Sequence, residues 1–179
     1  MGIKTFTTGE LLSSSDTNTY LANSGLVYVT SATIGSGVAT VAVASAFSST
    51  YDNYKIIVNG GIGNASQAIS MYLTGSTASY YQYLAYWSYA AGSPTSAGVN
   101  NAASWGFIGE SSANSNVINI DIINPNLAKY TYFNGAYIGT VAGTIAGYHG
   151  VATAYTGFTL AVAGTMTGGT ITVYGYRKA

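Results

Sequence analysis

Charge is scarce in this sequence. Of 179 residues, five are acidic and five are basic, so 6% of the chain is charged, where a soluble domain carries roughly 25%. A net charge of zero supplies no surface to neutralise a phosphate backbone, which excludes a nucleic-acid binder. Cysteine is absent, so there is neither a disulfide framework nor a thiolate metal or redox site. A single histidine, His149, leaves no histidine-rich metal site, and no cofactor is expected. Long apolar runs are missing too. Gly, Ser, Thr and Asn interrupt every one, and Tyr83-Leu84-Ala85-Tyr86-Trp87 is among the longest, far short of the about 20 residues of a membrane helix. Met1 to Glu10 has an early acid and no apolar core, so neither an export signal nor an outer-membrane barrel is expected.

What remains is 48% hydrophobic with 13% aromatics, too apolar for a disordered chain and long enough for one domain. The first 30 residues read differently from the rest. Ser13 is a good helix N-cap, and Asp16 returns the hydrogen bond from the first turn, where the helix dipole favours a negative charge. Tyr20 and Leu21 give a small apolar stripe, and Gly25 is placed to stop the helix. So short a helix is marginal in water, so it must dock on something. Leu26-Val27-Tyr28-Val29-Thr30 follows as an extended apolar segment. Residues 1–30 therefore read as an arm that attaches, either to its own domain or to a partner, and 31–179 as the domain.

From about residue 34 the hydrophobic period becomes two. Val41 and Val43, Ile69-Met71-Leu73, Ile118-Ile120-Ile122, Phe158-Leu160-Val162 and Ile171-Val173 each alternate with smaller or polar residues, the mark of half-buried strands. With Tyr54–Val58, Tyr80–Tyr89, Trp105–Ile108, Tyr130–Tyr137 and Thr144–Val151 there are about ten short strands. Asn59-Gly60-Gly61, Gly92-Ser93-Pro94, Asn124-Pro125-Asn126 and Gly168-Gly169 punctuate them as turns. Asn134-Gly135 falls inside an aromatic run, as a bulge or as the turn of a hairpin. No helical pattern separates the strands, so the expected fold is all-β: an antiparallel β-sandwich, jelly-roll-like, preceded by an N-terminal arm with one short helix.

Catalytic patterns are thin. A glycosidase needs two carboxylates about 5 to 9.5 Å apart, and the sequence leaves open whether Glu110 and Asp121 meet; each also fits a turn or a strand's polar face. His149 has no Gly-x-Ser-x-Gly nucleophile to serve; it reads as a strand polar residue or, between glycines, as a contact to a ligand or subunit. Gly61-Ile62-Gly63-Asn64-Ala65-Ser66 lacks the third glycine of a dinucleotide loop and leads into a strand, so it reads as a hairpin turn. No enzyme is expected. The richest feature is the aromatic cluster. On a strand, Tyr81, Tyr83, Trp87 and Tyr89 share one side and Tyr80, Leu84 and Tyr86 the other. The first set reads as core packing with subunit contact, or as a ligand or receptor face, since Tyr and Trp anchor interfaces and stack on sugars. A chain with so few charges tends to associate, and closed cyclic symmetry is the normal outcome.

Three blocks carry a resemblance. Lys4-Thr5-Phe6-Thr7-Thr8-Gly9-Glu10-Leu11-Leu12 with Asp16-Thr17-Asn18-Thr19-Tyr20-Leu21, then Phe47 to Ile56, then Gly168 to Arg177 together resemble small virion structural proteins of tailed bacteriophages, common in phages of aquatic bacteria. Such proteins are described as tail-fibre, head-fibre or capsid-decoration components. The resemblance carries over no catalytic residue. It implies that the arm, through Asp16, Tyr20 and Leu21, attaches to the virion while the domain points outward. Thr17 departs from the apolar residue many relatives have there, which thins the docking stripe. The expected function is an oligomeric, trimeric fibre or receptor-binding subunit of the extracellular phage particle, assembled in the host cytoplasm. Its expected partners are tail, portal-vertex or capsid subunits, further copies of itself as a homotrimer, and a host surface glycan or protein. The alternative is a capsid decoration or cement protein that stabilises the head. A virion glycanase is disfavoured by the scattered acids, and a cellular lectin or adhesin by the missing export signal.

Overall fold

Alternation builds almost everything in the structure, a computed structural model that describes residues 7–11, 13–16, 25–90 and 92–178. Thirteen strands form among these residues. They begin with β1 (Leu26–Thr33), β2 (Val38–Val43), β3 (Asn53–Asn59), β4 (Ile62–Gly63) and β5 (Gln67–Leu73). β6 (Tyr80–Ser88), β7 (Pro94–Ala102), β8 (Trp105–Ser111) and β9 (Asn116–Ile123) follow. β10 (Thr131–Ile138), β11 (Val141–His149), β12 (Phe158–Thr167) and β13 (Thr170–Tyr176) complete the order. Every ladder is antiparallel. One run of strands reads β1-β13-β3-β9-β10-β11-β6-β7 and the other β2-β12-β5-β8, with β4 paired to β12 and the β8–β9 ladder joining the runs.

The period-two positions face a common core. Tyr54, Ile56 and Val58 of β3, Ile118, Ile120 and Ile122 of β9, Ile171 and Val173 of β13, Ile69, Met71 and Leu73 of β5, and Phe158 and Leu160 of β12 are all buried. Each such side chain contributes about 1.5–3 kcal/mol on leaving water. Trp105 sits among aromatic neighbours, its ring 5.0 Å from Tyr80 and 4.7 Å from Phe133, and its indole N–H donates to the Tyr148 carbonyl at 3.2 Å. The loop before β3 closes the core at another point. Phe47 is buried against Tyr54 and Phe158, and the Tyr54 hydroxyl accepts from the Ser48 N–H at 2.7 Å and donates to its carbonyl at 2.8 Å.

Several details differ from the expectations above. There are three strands more than the ten. β1 runs across the expected boundary at residue 30, because it pairs with the free edge of β13 from Leu26 opposite Tyr176 to Thr33 opposite Thr170, with one register shift between Tyr28 and Thr30. β4 lies inside the expected Gly61–Ser66 turn and pairs Ile62 and Gly63 with Thr167 and Met166. β7 lies on an edge and opens with its proline, the setting in which a strand tolerates one. Asn134-Gly135 is neither bulge nor turn: both residues continue β10 in register with β11 and β9. Glycine is required there by crowding, since a Cβ at 135 would lie 2.6 Å from the Asn119 carbonyl oxygen. Of the expected N-terminal helix, one turn is described, Ser14–Asp16; Tyr20 and Leu21 lie outside the described residues.

Candidate functional site

β6 positions the aromatic cluster by simple alternation. Tyr80, Gln82 and Leu84 point into the core, and Tyr86 packs against it half-buried. Gln82 keeps its place there by bonding the Phe107 backbone, donating to its carbonyl and accepting from its N–H at 3.0 Å. Tyr81, Tyr83 and Trp87 point outward, and Tyr83 and Trp87 are 57% and 50% exposed. Tyr89 lies just beyond the strand and is exposed. Three of the four expected face residues therefore share one surface, with Tyr89 at its end.

Register brings further tyrosines to the same surface. Tyr81 is opposite Tyr148 on β11, and Tyr148 is opposite Tyr132 on β10. The Tyr81 and Tyr148 rings stack at 4.6 Å with an interplanar angle of 8°, and Tyr130 and Tyr132 lie 6.1 and 6.2 Å from Tyr148. Beside this stack a shallow groove of about 440 Å³ runs between Tyr83, Val99 and Ala146. The neighbouring row continues through all eight strands, pairing Tyr28, Tyr174, Lys55, Asp121, Asn134, Ala146, Tyr83 and Gly98 in turn. Tyr130, Tyr132, Tyr148, Tyr28 and Tyr174 were not singled out from the sequence. Their only signal was strand parity, and register decides which strands lie side by side.

The face is electrically quiet. Besides the buried His149, its eight strands hold two acidic or basic residues, Lys55 and Asp121, and these pair at 3.3 Å. Tyr176 donates to the same carboxylate oxygen at 2.5 Å. Burial first, then that hydrogen bond and charge, push the Tyr176 hydroxyl up to about 12. Such a surface offers flat apolar rings with polar tips and no net charge, suited to stacking and hydrogen bonding rather than to ion pairing.

The two candidate catalytic carboxylates are not brought together. Glu110 is opposite Val117 on β9, four residues from Asp121, a separation of about 13 Å along the strand. Their partners also differ: Asp121 holds Lys55 and Tyr176, whereas Glu110 accepts from Ser66 Oγ at 2.7 Å and from the Thr140 N–H and Oγ1 at 2.9 and 3.1 Å. His149 is fully buried rather than placed to meet a ligand. Its Nε2 is 2.6 Å from Ser76 Oγ, and the Val151 N–H donates to its Nδ1 at 3.3 Å. That second bond assigns the ring proton to Nε2, which donates to Ser76. A serine nucleophile needs the opposite arrangement, with the ring nitrogen as acceptor. Burial lowers the His149 pKa. Among the described residues no three His, Cys, Asp or Glu cluster as a metal site, and no helix is long and apolar enough to cross a membrane. In comparison with known proteins, no family model, no curated protein and no solved structure matches the chain.

Proposed function

We propose that this chain is a non-enzymatic bacteriophage virion structural protein, an oligomeric fibre or receptor-binding subunit that uses its tyrosine-rich outer face for contact. The observation that carries the reading is that face: Tyr81, Tyr83, Tyr132, Tyr148 and Trp87 on one surface whose strands hold a single neutralised ion pair. In this reading the two strand runs stack as a jelly-roll-like β-sandwich, supported by the single core into which both turn their alternate side chains. Self-association, as a homotrimer, is supported by the edge strands. β1 and β7 carry no charged residue, whereas natural edge strands are commonly guarded by charge. The arm that precedes β1, through Asp16, Tyr20 and Leu21, holds the subunit to other virion proteins, and the aromatic face meets a neighbouring subunit or a host surface glycan or protein.

The test is copy number in purified particles, by quantitative mass spectrometry against the major capsid protein. A handful to a few dozen copies supports an appendage. Hundreds, scaling with the capsid lattice, overturn it in favour of a decoration protein, and absence from particles overturns both. Tyr20→Ala with Leu21→Ala should abolish incorporation and leave the domain folded.

A further inference from the structure

Glu110 has no part in that face. It is 4% exposed, and among the described residues no lysine or arginine pairs with it: Lys55 is held by Asp121 and Lys178 by Asp52. Three donors compensate it, Ser66 Oγ on Oε1 and the Thr140 N–H and hydroxyl on Oε2. A carboxylate has about four acceptor sites, so Oε1 keeps one. The carboxylate borders a cavity of about 270 Å³ that Tyr86, Phe107 and Tyr137 also line, with Leu84 and Val141. Tyr137 is pushed up to about 12 by burial first and then by the charge of Glu110.

We infer that this cavity is a binding site for an organic cation, an alkylammonium head group that sits against the tyrosine and phenylalanine rings and pairs with Glu110. The chemistry selects this ligand class. A buried negative charge without a cation is costly, and aromatic faces attract ammonium groups by about 0.5–2 kcal/mol. A divalent metal is a poor fit, because it wants six or more oxygen ligands. Here two Thr140 donors already occupy Oε2, and three of the walls are rings. The inference is independent of the virion reading, since it uses no residue of the outer face.

The experiment titrates the folded protein with choline chloride, following the Thr140 amide by ¹H–¹⁵N NMR. The controls are sodium chloride, calcium chloride and 3,3-dimethylbutan-1-ol, the neutral isostere of choline; n-butylammonium chloride compares a primary head group. The site predicts a saturable Thr140 shift with one or both ammonium salts and at least about tenfold weaker binding of the neutral alcohol. Glu110→Gln should remove the binding. Should Glu110→Gln fail to fold, Phe107→Leu keeps most of the volume, removes one ring, and should weaken binding about two- to fivefold. Equal binding of choline and its neutral isostere, a response to calcium alone, no saturable shift with either ammonium salt, or undiminished binding in these variants overturns the assignment.

Discussion

Acidification from pH 7 to 5.5 should destabilise this fold through one residue. His149 is fully buried, its ring 4.4 Å from that of Tyr80 and 5.3 Å from that of Tyr155. Its partners are the Ser76 hydroxyl, the Val151 N–H and the Tyr155 hydroxyl, at 2.6, 3.3 and 3.5 Å; none is a carboxylate. Protonating Nδ1 would set a new N–H against the Val151 N–H and place a positive charge in the core. Burial accordingly lowers the pKa below 6.5 in the folded state. Where the folded pKa is depressed in this way, the unfolded chain binds the proton first. Stability is then fully present above pH 6.5 and falls as pH drops through the window between the two values.

The ceiling on that loss follows from one proton, about 1.4 kcal/mol per pH unit, so at pH 5.5 it is at most about 1.4 kcal/mol. The chain suits the measurement, because His149 is its only histidine and ordinary carboxylates titrate near 4. Urea denaturation at half-unit steps between pH 7 and 5.5 should show a declining midpoint in the wild type. His149→Gln should lie lower throughout but show a flat profile. A flat wild-type profile, or the same slope in the variant, refutes the reasoning.

Four other substitutions test the packing. Trp105→Ala removes a fully buried indole and its hydrogen bond to the Tyr148 carbonyl, and should cost about 3–5 kcal/mol in urea unfolding. Gly135→Ala should cost about 1–3 kcal/mol, because the added methyl meets the Asn119 carbonyl at 2.6 Å; Gly92→Ala, with nothing within 4 Å, should stay within about 0.5 kcal/mol. Glu110→Ala strips the acceptor from Ser66 and Thr140 and should cost about 1.5–3 kcal/mol, with faster hydrogen exchange at the Thr140 amide.

Most strands were legible because their inward positions hold mainly Ile, Val, Leu, Met or Phe and their outward ones are more often small or polar. β9 alternates Ile118, Ile120 and Ile122 with Val117, Asn119 and Asp121, and its buried positions follow that pattern. β7 was not legible. As an edge strand of Pro94-Thr95-Ser96-Ala97-Gly98-Val99-Asn100-Asn101-Ala102 it is mostly exposed, so no apolar alternation marks it. β4 is two residues long and has no period to read. The partners of Glu110 lie 44 and 30 residues away in sequence, and only the ladders bring them together. His149 read as an ordinary strand residue for a related reason: the residues that enclose it, Ser76, Tyr80 and Tyr155, come from three separate segments.

The outer face was half legible, and the tyrosines show why. Of seventeen tyrosines, only Tyr54, Tyr80, Tyr137 and Tyr155 are buried among the described residues. Tyr54 and Tyr80 spend their hydroxyls on backbone groups, with Tyr80 accepting from the Leu73 N–H at 2.7 Å, and Tyr155 lies within 3.5 Å of His149. A buried phenol needs such a partner, and a core of alternating aliphatic residues offers few. A tyrosine surplus in this kind of chain is therefore forced onto the surface, which makes the count itself informative about function while register alone says where the rings gather. The Tyr81–Tyr148 stack depends on β6 and β11 being neighbours, although 67 residues separate the two rings in sequence. Substituting Tyr83 or Trp87, which are exposed and serve no core contact, consequently tests the face itself, whereas substituting Tyr80 tests only the fold.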